Sequence, residues 1–311
     1  MEKPFRVLSI DGGGIRGMIP AVVLAEIERR TNRPACQLFD LIAGTSTGAI
    51  LAAAVTAGPA GPLYRAAEVA QLFESDGSTI FHSNRLTRAR NLTRPRYPPH
   101  GLEGTLQKHF GNRRLSEALT PLLIPCYELE RRTPWFFRSE RAKRDHEYDF
   151  PLCQVLRAAS AAPTYFPPAK LPASTDYHAL IDGSVFANNP AVIAYTEARL
   201  LANGRPVQLL SLGTGRQSRP IPYSSAVKWG AAFWISPLLD CIFDGSNETA
   251  DYQVRQLAGT YWRFQPALAP ENQAIDDARF QNLRALRMTA ERLIRERSQD
   301  LDQLCSSLTV T

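Results

Sequence analysis

No stretch of this 311-residue chain is long and apolar enough to cross a bilayer as a helix. The longest unbroken apolar run, AILAAAV at 49–55, falls far short of the roughly 20 residues that a span requires. Cysteine is scarce and unpatterned. The five thiols at 36, 126, 153, 241 and 305 are odd in number and form no C-x-x-C, which argues against a disulfide framework and for reduced, cytosolic thiols. The opening MEKPFRVLSID has neither the apolar core nor the small-residue cleavage site of a secretory leader, so a cytoplasmic location is expected. The N-x-T sequons at Asn91 and Asn247 then read as accidental, since glycosylation requires secretion.

Acidic residues are missing from two stretches. Between Gly77 and Leu102 there is none, while Arg85, Arg88, Arg90, Arg94 and Arg96 crowd a proline-containing segment. That segment reads either as a solvated loop or as a contact for phosphate, on a lipid headgroup or a phosphorylated regulator. The net charge of +6, from 36 Lys+Arg against 30 Asp+Glu, is too small to imply a nucleic-acid polymer as partner. From Leu41 to Ala67 there is again no acid.

What is present is ordinary globular material, 44% hydrophobic and 21% charged, in which strand and helix patterns alternate. Val7–Ile10 reads as a buried strand. Ile19, Val22, Val23 and Ile27 share one face of a helix with Pro20 in its first turn. FDLIAGTS is a second strand followed by an alanine-rich helix, and PLLIPCYEL and PWFFRS are strands around a charged turn. YHALIDGS is a strand running into a loop, NNPAVIAYTEARLL a helix capped by Asn189, and VQLLSLGTG a further strand. Leucines and an alanine at 283, 286, 290, 293, 301, 304 and 308 predict one C-terminal amphipathic helix over about 275–308. Such alternation predicts a single α/β domain with a mainly parallel, helix-covered sheet. Its core would span about residues 5–265.

The first strand ends in DGGGIRG, where Gly12, Gly14 and Gly17 spell G-x-G-x-x-G. A dinucleotide cradle would need an acid at the end of the next strand to hold the ribose. Asp40 precedes that strand, and nothing acidic follows it until Glu68. The same glycines expose a row of backbone N–H groups, as an oxyanion hole requires. The end of the second strand carries GTSTG, Gly44 to Gly48. A G-x-S-x-G turn between strand and helix thrusts a serine, here Ser46, into the open at a helix N-terminus. A serine needs a base. The five histidines offer no well-placed candidate, although an order Ser46…Asp149…His178 stays open. Asp182, at the end of an apolar strand and before a glycine, is better placed. In a parallel sheet its strand end would share one crevice with the elbow and the glycine loop. Taken alone, the D-G pair reads as an ordinary turn; taken with the elbow and the glycine loop, it does not.

Taken together, DGGGIRG, GTSTG and IDGS resemble the patatin-like phospholipase family of lipid acyl hydrolases. The likeness continues through LRAASAAPTYFPP (156–168), ANNPA, LLSLGTG (209–215) and LLDCIFDG (238–245). The resemblance implies a three-layer α/β/α fold and phospholipase A-type cleavage of glycerophospholipid esters by a Ser–Asp dyad without histidine. No His/Cys/Asp cluster has metal-ligand spacing, so neither a metal nor a cofactor is expected. By that resemblance Ser46 is the nucleophile and Asp182 its base. Gly12, Gly13 and Gly14 supply oxyanion N–H groups, and Arg16, Gly17, Gly44, Gly48 and Gly183 support the loops. Ser184 departs from the family's usual Gly or Ala, and its hydroxyl could tune Asp182. The resemblance also admits two other roles, an inactive storage protein and an anti-phage effector switched on by a cyclic dinucleotide. A dinucleotide-binding oxidoreductase is the reading from another class. Peripheral contact with a phospholipid surface is expected, through the arginine stretch and the aromatic segment 229–245. That segment could instead be ordinary core or line the acyl chain.

Overall fold

The computed structural model describes residues 3–58, 60–82, 94–174, 176–218 and 220–309. The predicted arginines at 85, 88 and 90 lie outside the described residues. Eight strands form one sheet in the order β5-β6-β3-β2-β1-β7-β8, with β4 paired to β3. They are β1 (Phe5–Ile10), β2 (Leu41–Gly44), β3 (Leu122–Glu128), β4 (Thr133–Arg138), β5 (Ala169–Pro172), β6 (Tyr177–Asp182), β7 (Val207–Leu212) and β8 (Thr260–Phe264). From β3 to β8 along this order the strands are parallel. The β3–β4, β3–β6 and β5–β6 pairs are antiparallel.

β1 is buried along its whole length, as a strand with helices on both faces must be. Phe5 and Val7 face one layer, formed by α6 (Ala191–Leu201) and the second half of α7 (Ala231–Leu257). Leu8 and Ile10 face the larger core. That side is covered by α1 (Met18–Thr31), α2 (Thr47–Thr56), α3 (Ala66–Ile80), α4 (His100–Phe110) and α5 (Leu152–Ala159). It is completed by α8 (Phe280–Glu296) and α9 (Ser298–Thr309). The three-layer α/β/α arrangement with a mainly parallel sheet is as expected.

Two expectations are corrected. The C-terminal helix is two helices, broken at Arg297. An apolar stripe through 290, 293 and 301 calls for a hydrophobe at 297, and arginine stands there. Arg297 instead pairs with Asp300 and lies over the Phe264 ring. Secondly, β6 runs antiparallel to β3. β2 has only four residues and covers only Leu122 and Leu123 of β3, which leaves the edge beyond open. β6 fills that edge, with Cys126 opposite Asp182 and Glu128 opposite Leu180. The β5–β6 hairpin sets its direction.

Candidate active site

Because β2 climbs the edge of β3 and β6 descends it, their last residues meet head-on. Continuing the β2–β3 register places Gly44 opposite Ile124, and Asp182 is opposite Cys126. Two residues of strand span about 7 Å, room for one side chain from each end. Ser46 follows Gly44 on a turn with φ 54° and ψ −123°, a conformation that costs a non-glycine residue on the order of 1–3 kcal/mol. Close packing enforces the turn. A Cβ on Gly44 would lie 2.2 Å from the Gly48 carbonyl oxygen, and one on Gly48 would lie 2.4 Å from that of Ile10. The Thr45 hydroxyl donates to the Ala187 carbonyl at 2.7 Å, tying the elbow to the segment after Asp182.

Asp182 is 1% exposed. Oδ1 accepts the Ser184 N–H at 2.9 Å, while Oδ2 has no partner with hydrogen-bond geometry. Burial pushes the carboxyl up to about 6, against the opposing pull of the Ser46 and Ser184 hydroxyls. The Ser46 hydroxyl is therefore near enough to act on the carboxylate, but the geometry of a completed bond is lacking. Apo sites often show such a loose pair, which tightens around substrate. The histidine alternative is not assembled. Asp149 is engaged by Arg114 and Ser116, and His178 Nδ1 is bonded to Arg131 at 2.7 Å with its ring against Trp135.

The glycine loop lies directly over the elbow, since a Cβ on Gly12 would come within 3.2 Å of Ser46 Cβ. The three glycines are not equivalent, however. The Gly12 N–H donates to the Asn188 carbonyl at 2.9 Å, so Gly12 is corrected from oxyanion donor to anchor. The Gly12 carbonyl accepts from Thr214 Oγ1 at 2.6 Å and from Asn188 Nδ2 at 3.4 Å. In a trans peptide C=O and N–H point oppositely, so this clamp also fixes the direction of the Gly13 N–H. The Gly13 carbonyl is held in turn by Arg16, through its N–H at 3.2 Å and its Nε at 3.3 Å, and that fixes the Gly14 N–H. Among the described residues, neither the Gly13 nor the Gly14 N–H has an acceptor. Thr47, the first residue of α2, has an N–H that no helical carbonyl can reach.

Arg16 is buried, which lowers its pKa, and Asp244 and Asp240 of α7 oppose that shift. Its Nη1 has no hydrogen-bond partner. Asp11, fully buried, receives both guanidinium nitrogens of Arg263 at 2.9 and 2.5 Å. Arg263 lies far along the chain on β8, and no motif announces the pair. A Cβ on Gly17 would lie 2.3 Å from Thr47 Oγ1, and one on Gly183 would lie 2.4 Å from the Pro125 carbonyl oxygen. A dinucleotide is poorly accommodated: Ile275 sits over Gly14, accepting from the Ile15 N–H at 2.8 Å.

An apolar cavity opens from Ser46 between α2, α3 and the segment after α5. Ile50, Phe73, Phe81, Leu102 and Phe166 line it. Ser46, Thr47 and Ser160 are also among its lining residues, and Thr47 Oγ1 and Ser160 Oγ are buried without hydrogen-bond partners. Among the described residues of 229–245 none lines it, so the acyl-lining expectation for that segment is corrected. The core reading fails as well at Phe233, Leu238 and Ile242, which are exposed on α7.

A family description reading "Patatin-like phospholipase" matches residues 8–195. The chain belongs to the patatin-like phospholipase family. Patatin-like protein 1 of Oryza sativa subsp. indica is 32% identical over 94% of this chain and 81% of its own length. Patatin-like protein 4 of Arabidopsis thaliana is 30% identical over 93% of this chain and 82% of its own. A relative named "Probable inactive patatin-3-Kuras 1", from Solanum tuberosum, is 30% identical over 93% of this chain and 86% of its own. VipD from Legionella pneumophila superposes with a TM-score of 0.47 at 12% identity, covering 95% of this patatin-like chain and 67% of its own. Among the described residues, no helix is long and apolar enough to cross a membrane.

Proposed function

We propose that this patatin-like protein hydrolyses fatty-acyl esters of glycerophospholipids through Ser46 and Asp182. The observation that carries the reading is the pairing of a serine on a strained turn with a buried carboxyl. Burial raises the carboxyl to about 6, and it keeps one oxygen unpartnered beside that serine. A carboxylate at its ordinary pKa is too weak a base, and one raised toward neutrality is matched to the task. Asp182 takes the hydroxyl proton as Ser46 Oγ attacks the ester carbonyl carbon. The N–H groups of Gly13, Gly14 and Thr47 receive the developing oxyanion. The tetrahedral intermediate collapses, the lysolipid alkoxide leaves with the proton from Asp182, and an acyl-Ser46 ester remains. Water, deprotonated by Asp182, then attacks that ester and releases the fatty acid. The cavity that opens from Ser46 is lined mainly by apolar side chains, as an acyl chain requires.

The test is free fatty-acid release from mixed phospholipid vesicles by wild type, Ser46→Ala and Asp182→Asn, with and without cyclic dinucleotides. Release by wild type that falls at least a thousandfold in both variants is expected. Undiminished release by Asp182→Asn overturns the dyad. Release that depends on a cyclic dinucleotide makes the enzyme a regulated effector.

A further inference from the structure

A second apolar cavity adjoins the one at Ser46. Both are bordered by Ile50, Phe73 and Ile80, so these three side chains form the wall they share. Beyond that wall, Ala54, Val69, Leu72, Leu106 and Phe110 line the second cavity between α2, α3 and α4. Part of its lining is polar. Asp76 meets His109 Nε2 at 2.7 Å and Lys108 at 3.1 Å, and His109 Nδ1 lies 3.0 Å from the Tyr64 hydroxyl. Two adjoining apolar clefts leave hydrophobic surface against water, an unfavourable arrangement that an apolar ligand lying along both would relieve.

We propose that the second cavity receives the distal carbons of a long unbranched acyl chain whose ester carbonyl sits at Ser46. The Phe73 ring is the neck, and Asp76 with His109 bounds the polar side of the cavity. This proposal rests on the hydrolase reading only for which end of the ligand sits at Ser46. Phe73 stands at the junction because α3 is packed across α2, and its ring must rotate aside to admit the chain. Carbons beyond the neck gain burial, about 0.8 kcal/mol or fourfold in affinity for each methylene. A chain that pressed into the polar side would have to desolvate the Asp76 carboxylate, which sets an upper length.

The test uses variants that fill only the second cavity. Ala54→Leu fills it from within, and Leu72→Phe fills it from the half-exposed side, where little repacking is needed. The readout is the ratio of kcat/KM for hexadecanoyl over octanoyl esters of one headgroup. Displacing two or more methylenes is expected to lower that ratio about tenfold or more in both variants. A parallel measurement avoids turnover: in the Ser46→Ala background, hexadecanoate binding by calorimetry weakens with either substitution, while octanoate binding serves as reference. Esters cleaved by wild type with an unmoved ratio in both variants overturn the second cavity and leave the hydrolase intact. No ester cleaved, but hexadecanoate affinity falling on substitution, overturns the hydrolase and keeps the cavity.

Discussion

At the scale of single residues, the proposed base Asp182 should carry the pH behaviour. Its carboxyl is raised to about 6 chiefly by burial, and the Ser184 N–H and hydroxyl hold it below what burial alone would give. A base must be deprotonated to act, so kcat/KM should be small below pH 5, rise through about 6 and level off above 7. Ser184→Ala removes one group that favours the charged form, so the rising limb should move to higher pH. The variant would then lose several-fold in activity at pH 6 and little at pH 8. A limb that stays in place would show that the Ser184 hydroxyl does not reach the carboxylate. This is the chemical consequence of the hydroxyl that departs from the Gly or Ala usual here.

At the scale of elements, the loop between β1 and α1 is held by parts distant in sequence. Thr214, just past the end of β7, and Asn188, past Asp182, fix the Gly12 carbonyl. Asn188 is itself bonded to Asn247 of α7 at 2.9 Å. Thr214→Val keeps the shape and removes the 2.6 Å donor. The Gly13 N–H then loses its fixed direction, a loss that falls on the transition state. We expect kcat to drop by one to two orders of magnitude with KM nearly unchanged, and Thr214→Ser to restore most of it. Equal losses in Thr214→Val and Thr214→Ser would mean that Thr214 serves packing alone. Two-ended anchoring of this kind also explains why Gly12, a donor in expectation, is a scaffold in fact.

At the scale of the whole molecule, the first half of α7 and the segment before it present apolar side chains to solvent. Tyr223 is 82%, Val227 60% and Phe233 70% exposed, and Trp229 packs edge-on against Trp234. Exposed apolar side chains grouped along the sequence are a candidate interaction surface, and for the proposed substrate the occupant to test is a lipid surface. Arg96 is paired with Asp276 at 2.7 Å, so this arginine of the basic stretch is not free for headgroups. We predict that Phe233→Asp with Leu238→Asp reduces flotation with anionic vesicles at least tenfold. Turnover of vesicles should fall more than turnover of a soluble short-chain ester. Equal flotation would remove this face from the account.

The elements and the motifs were legible because they are local. A buried strand, an amphipathic stripe and a glycine elbow each follow from the spacing of a few neighbouring residues, and DGGGIRG, GTSTG and IDGS lie at strand ends for that reason. The break at Arg297 was visible as a charge on the stripe, yet periodicity carried the helix across it. The direction of β6 was not legible, since the residues of a strand do not record which way its partner runs. That depended on the short β2 leaving half of one β3 edge open. The same holds for the Asp11–Arg263 pair, the Thr214–Gly12 clamp and the two cavities, which join segments far apart in the chain. Local chemistry in this sequence thus determined which groups could react. Only the tertiary structure decided which of them face one another, because long-range pairing is set by geometry that no short stretch of residues contains.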